Sequence, residues 1–194
     1  VDPAGLPVDA LGVSGAPQTE KGAGGLSLLL QAYYGIRLQD SFLTEPWFDA
    51  ASLKSQLSAF TYSYIEDFAV TPITAPLGRY DLPVPVWGAR TLTVEPVGVD
   101  SLAAPLLYTE TAYGETNPKV FAATPEPLVA NLPADPIGRL LLGGVGENRR
   151  LASKVAVLGD AEILLNGYGL STTPDGDPQF LGARLLVERL VAWL

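Results

Sequence analysis

The sequence contains no histidine, no cysteine and no methionine. Each absence removes a class of chemistry. Without an imidazole, neither Ser-His-Asp nor Cys-His catalysis can be assembled from this chain alone. Zinc hydrolases draw mostly on imidazole ligands, which are also missing. Without cysteine there is no disulfide framework, no thiolate metal site, no redox pair and no amidotransferase nucleophile. What remains is chemistry run by carboxylates, lysine, tyrosine or Ser-Lys pairs, or a site shared with a partner chain. With no methionine, a chain starting at Val1 implies either processing or a cut from a longer chain, so any signal peptide or membrane anchor lies out of view.

Charge is also scarce, at 17% of residues against 47% hydrophobic, a globular rather than a disordered composition. No apolar run reaches the ~18 residues needed to cross a bilayer, so the sequence predicts a soluble domain. The net charge of −9 repels phosphate backbones and argues against nucleic acid as a partner. Arg149-Arg150 with Lys154 is the one basic cluster, and it reads as a solvated turn.

The 194 residues fit a single domain, 1–194, long enough to bury roughly 70% of its unfolded surface. Val8 to Val13 alternates like a strand and ends in the turn cluster Ser14–Pro17. Thr19 is a candidate N-cap for a helix with Leu26, Leu29, Leu30 and Tyr33 on one face, and Gly35 is its natural stop. Ile36–Leu38 then reads as a strand. This strand–helix–strand order predicts part of a parallel sheet. Asp49 is placed to cap a second helix with Leu53, Leu57 and Phe60 inward, and Tyr62–Val70 reads as a strand.

Eleven of the 17 prolines fall between residues 71 and 137. Proline removes a ladder donor, so this segment predicts an irregular excursion with short strands at Thr91–Val94 and Leu106–Thr109. Arg139–Val145 and Lys154–Leu158 predict a hairpin, with Gly143, Gly144 and Gly146 near its turn. A phosphate-cradling role for these glycines lacks a following helix and a Gly-Lys-Ser/Thr signature. Gly167–Asp177 reads as a polar loop. Beyond Pro178, Ala183, Leu186, Val187, Leu190, Val191 and Leu194 form an apolar helical stripe directed at the sheet.

The most informative stretch runs from Lys154 to Gly167. An apolar strand enters Gly159, and Asp160 and Glu162 follow. Ligands of open α/β sheets gather beyond the carboxyl ends of strands. The structural reading is capping, with Asp160 accepting backbone N–H groups of a short helical turn. Other candidates have equally plain structural readings. Asp175-Gly176-Asp177 lacks the further ligands of a calcium loop. Glu110 and Glu115 lie among Tyr108 and Tyr113, as carboxylates of a sugar hydrolase could. Trp47-Phe48 and Trp87 offer contact surface or core.

The segment SKVAVLGDAEILLNGYG, with the ending GARLLVERLVAWL, resembles the closing strand–turn–helix of the auxiliary component of gliding-motility-type ABC transporters. Gly159-Asp160-Ala161-Glu162-Ile163-Leu164-Leu165-Asn166 fits that family's Gly-Asp-Ser-Asp/Glu-Phe-Leu-x-Asn run, with Ala161 in place of Ser. Val191-Ala192-Trp193-Leu194 matches its helix end, with Ala192 in place of Asn. Leu28–Leu38, Thr71–Leu77 without the family's leading His, Pro105–Thr109 and Tyr113–Thr116 follow similar motifs in the same order.

The resemblance implies a glutamine-amidotransferase-like domain lacking the catalytic cysteine. The expected fold is an α/β, Rossmann-like open sheet, mostly parallel, with helices on both faces and a C-terminal antiparallel hairpin. It also implies an extracytoplasmic, noncatalytic binding domain whose partners are proteins of a membrane-associated complex, or a small molecule or carbohydrate. Asp160, Glu162 and Asn166 are the candidate ligand contacts, and no cofactor or metal is implied. The alternative reading is a carboxylate-dependent hydrolase acting on a carbohydrate, through Asp160 and Glu162 or Glu110 and Glu115.

Overall fold

A computed structural model describes residues 23–44, 62–87, 89–110, 112–116, 136–166 and 168–194. The strand proposed at 8–13, the cap at Thr19 and the helix proposed after Asp49 lie outside the described residues.

Helix α1 spans Ala23–Tyr34. It ends because Gly35 takes a left-handed conformation, φ +69°, and donates its N–H to the Gln31 carbonyl at 3.1 Å. The face it buries is not the expected one. Leu30 and Tyr34 are buried, and Ser27 on the same side exchanges hydrogen bonds with the Leu38 backbone. Leu26, Leu29 and Tyr33 are exposed instead.

The chain then enters β1 (Ile36–Thr44). The strands β2 (Tyr62–Ile65), β3 (Asp67–Phe68), β4 (Val84–Trp87), β5 (Arg90–Val94), β6 (Ser101–Tyr108) and β7 (Ala112–Glu115) follow, with a short helix α2 (Ala75–Arg79) between β3 and β4. The last strands are β8 (Ile137–Gly138), β9 (Leu141–Asn148) and β10 (Ser153–Leu158). Helix α3 (Leu181–Trp193) closes the described chain.

Eight strands form one sheet in the order β3-β6-β9-β5-β1-β7-β8, with β10 also paired to β9; β2 and β4 form a separate ribbon. Every pairing among the described residues is antiparallel. This overturns the expected mostly parallel, Rossmann-like sheet. Parallel neighbours need a crossover of a dozen or more residues. Here the neighbours β9 and β10 are separated by only the four-residue turn 149–152. The segment after α1 also does not lie parallel to a neighbour: β1 runs antiparallel to both β5 and β7.

The proline-rich segment 71–137 is therefore more regular than its composition suggests, since β4 to β7 all lie within it. Proline is accommodated where the ladder tolerates it. Pro105 sits opposite Gly144, where the β6–β9 register shifts, and β3 covers only the far end of β6.

The three glycines of β9 lie within the strand, not in its turn. They are needed because other elements lie on the backbone. A Cβ on Gly144 would sit 2.9 Å from Val94 Cγ2, and one on Gly146 would sit 2.7 Å from Tyr34 Cβ. Their place in a strand removes the phosphate-cradle reading.

Two apolar clusters sandwich the sheet. On one face Leu30 and Tyr34 of α1 pack with Ile36, Leu38, Leu92, Leu141 and Val157. On the other, Leu106, Leu107, Leu142, Val145 and Leu158 pack with Val84 and Val86 of the ribbon and with Ala183, Leu186 and Leu190 of α3. The stripe of α3 thus contributes to the core, but its end does not, since Val191 and Leu194 are exposed. At the sheet margin Arg139 grips Asp67 through Nε and a second nitrogen, at 2.5 and 2.7 Å, and stacks 3.7 Å from the Tyr108 ring. The hydrogen bond to Asp67 raises the pKa of that guanidinium above its ordinary value.

Candidate functional site

The strand end singled out by the sequence lies at a junction of three strands. β9 has β6 along one edge. Its other edge is shared by β10, opposite Gly143–Asn148, and by β5, which pairs at Leu141. Gly159 bridges the change. Its N–H donates to the Leu142 carbonyl at 2.8 Å, and its own carbonyl accepts from the Arg90 N–H at 2.9 Å. A Cβ here would fall onto the Arg90 carbonyl oxygen, so the position requires glycine through close backbone approach.

Asp160 follows directly and is 1% exposed. Its Oδ1 accepts the Glu162 backbone N–H at 2.7 Å. That bond starts a 3-10 turn, Glu162–Leu164, which drives Ile163 into the core. The Glu162 carbonyl then accepts N–H groups from Leu165 at 3.0 Å and Gly169 at 3.1 Å. The Glu162 side chain is partly buried, and Asn166 lies exposed in the next turn. The structure therefore joins Asp160 to the backbone of Glu162 and leaves Asn166 outside that contact.

Arg90, in β5 within the proline-rich segment, carries no sequence signature of a site. Among the described residues, it and Asp160 are the charged residues that are buried. Its Nε donates to the Gln39 carbonyl at 2.5 Å, and its terminal nitrogen pairs with the exposed carboxylate of Asp40. Beside it the Ser41 and Thr91 hydroxyls share a buried hydrogen bond of 2.5 Å. The available signal was an arginine opening an otherwise uncharged strand, RTLTV.

This arrangement holds three strands and a turn together. It leaves Asp160 only 1% exposed, with little surface for a substrate to reach. Glu110 is exposed after β6, while the Glu115 side chain lies outside the described residues. Asp175 and Asp177 occupy an exposed loop, and the described residues contain no cluster of three metal-ligating side chains. Trp47-Phe48 and the Trp87 side chain also lie outside the described residues.

A second surface feature is α1 itself. Its sequence, AGGLSLLLQAYY, carries no charge. Leu28 is 68% exposed, and Leu26, Leu29 and Tyr33, on another part of the helix surface, are exposed too. No helix among the described residues is long and apolar enough to cross a membrane.

No protein-family model matches this chain, and comparisons with curated proteins and with solved structures return no match.

Proposed function

We propose that this chain is a noncatalytic interaction domain that docks on a protein partner. The observation that carries the reading is the uncharged helix α1, where Leu26, Leu29 and Tyr33 share one exposed helical face and Leu28 projects into solvent on its flank. Contiguous exposed apolar surface of this kind marks interaction sites. The noncatalytic part is supported by the burial of Asp160 and its use as a backbone acceptor. The chain also lacks the imidazole and thiol of the common hydrolytic mechanisms.

The placement of the domain outside the cytoplasm, in a membrane-associated transporter assembly, rests on the order of the sequence motifs from Leu28–Leu38 to Val191–Leu194. The antiparallel sheet withdraws the fold-level support that the same resemblance would have supplied.

The test is a photo-crosslinking side chain at position 28 of the full-length protein in its native host. The expected product is an adduct with a protein subunit in the membrane fraction, lost when Leu29→Glu is added. A full-length protein that fractionates free of membranes without an adduct would refute the reading. So would glycoside hydrolysis that Asp160→Asn abolishes while leaving the fold intact.

A further inference from the structure

A pocket of about 290 Å³ opens where α1 turns into β1. The volume lies near the lower end of small-molecule sites. Its lining includes Gln31, Gly35, Arg37, Thr93, Glu95 and Val97.

The frame is held by backbone geometry. Gly35 is left-handed and its carbonyl accepts the Glu95 N–H at 2.7 Å. A Cβ at Gly35 would fall onto the Glu95 carbonyl oxygen, so the two strands approach closely here. The Val97 N–H donates to Ser101 Oγ at 2.9 Å, which fixes the following loop. Gln39 Nε2 donates to Thr93 Oγ1 at 3.0 Å and orients that hydroxyl.

Arg37 stands opposite Thr93 in the β1–β5 ladder, so Arg37 and Glu95 are diagonal neighbours across two antiparallel strands. Opposite charges in that relation ordinarily pair. Here each lines the pocket, and the ion pairs among the described residues join neither to the other. The open groove is thus lined by a guanidinium and a carboxylate from adjacent strands, together with Gln31, Pro96 and Val97.

We propose that this pocket binds a small zwitterion of the α-amino acid class. The ligand carboxylate meets the Arg37 guanidinium, which matches it with two parallel N–H donors. The ligand ammonium meets Glu95. A net-neutral ligand also avoids the repulsion that a chain of charge −9 exerts on free anions. Pro96 and Val97 favour a short aliphatic side chain.

The test uses L-leucine and its two halves, 4-methylpentanoate without the amine and 3-methylbutylammonium without the carboxylate. Backbone amide NMR shifts of the whole chain are followed in each titration. L-Leucine is expected to give saturable shifts at Gly35, Val97 and Gly98, and each half to bind about tenfold more weakly, the loss of one charged hydrogen-bonded contact. Arg37→Gln removes the advantage of L-leucine over the amine half. Glu95→Gln removes its advantage over the carboxylate half. Both side chains are exposed, so the unchanged remainder of each spectrum checks folding. No saturable shift at these amides up to the solubility of L-leucine overturns the proposal. Equal binding of leucine and 4-methylpentanoate overturns it as well, since the site then reads only a carboxylate.

Discussion

Replacing Gly159 by alanine tests the strand junction most directly. The new methyl group would overlap the Arg90 carbonyl oxygen and lie 3.0 Å from the Arg90 carbonyl carbon and 3.1 Å from its nitrogen. All three are backbone atoms, so no side chain can rotate away. Relief requires β5 and β10 to separate, which strains the bonds Gly159 makes to Leu142 and Arg90. Each such bond contributes about 1 kcal/mol net. Overpacking adds about 1–3 kcal/mol, so the expected total is roughly 3–5 kcal/mol. For a chain of this length that corresponds to a Tm drop of roughly 10 °C. Urea unfolding followed by far-UV circular dichroism measures it. Gly25→Ala is the control, because a Cβ there meets nothing within 4 Å and the residue lies in α1. That variant should be unchanged or stabilised by up to about 1 kcal/mol. A Gly159→Ala protein within about 1 kcal/mol of wild type would refute the junction argument.

Five further substitutions probe separate parts of the fold. Asp160→Ala strands the Glu162 N–H and should cost about 1–3 kcal/mol in urea titration, whereas Asp160→Asn keeps an acceptor oxygen and should cost less. Leu186→Ala empties a fully buried site in α3 and should cost about 2–5 kcal/mol, while Val191→Ala, on the exposed side of the same helix, should fall within about 0.5 kcal/mol of wild type. Ser27→Ala breaks the link between α1 and the Leu38 backbone, and a thermal scan should show a loss of about 1 kcal/mol.

Local chemistry was legible in the sequence, and pairing was not. Gly35 announced the end of α1, and the apolar runs Arg139–Val145 and Lys154–Leu158 announced β9 and β10, with β9 starting two residues later and running on to Asn148. Strand direction depends on contacts far along the chain, such as Ile36 with Val94, which periodicity does not encode. Gly143, Gly144 and Gly146 looked like a turn because glycine is favoured there. Their reason is tertiary, since Val94, Tyr34 and Leu107 occupy the space a side chain would need. The α1 face was misassigned because the helix is apolar nearly all round, and the burial of Tyr34 is decided by the glycine backbone beneath it. At the candidate site, the sequence offered both a cap and a ligand contact for Asp160; it is buried and accepts the Glu162 N–H, one position ahead of the turn's N-cap Ala161. Arg90 and its attachment to Gln39 and Asp40 required the fold.

The position of β1 has a consequence for synthesis of the chain. It lies deep in the sheet, yet its neighbours β5 and β7 are encoded far downstream. A ribosome adding residues at about 5–20 per second needs roughly 4–14 s to pass from Thr44 to Glu115. Throughout that interval β1 waits with at least one edge unpaired and Leu38 and Leu43 uncovered. The β9–β10 hairpin, closed by its four-residue turn, can form within microseconds of emerging. Vectorial synthesis therefore delivers the sheet's inner strand first and its fastest-folding pair last, so a nascent chain halted before β7 exposes an aggregation-prone edge to other chains or to a chaperone.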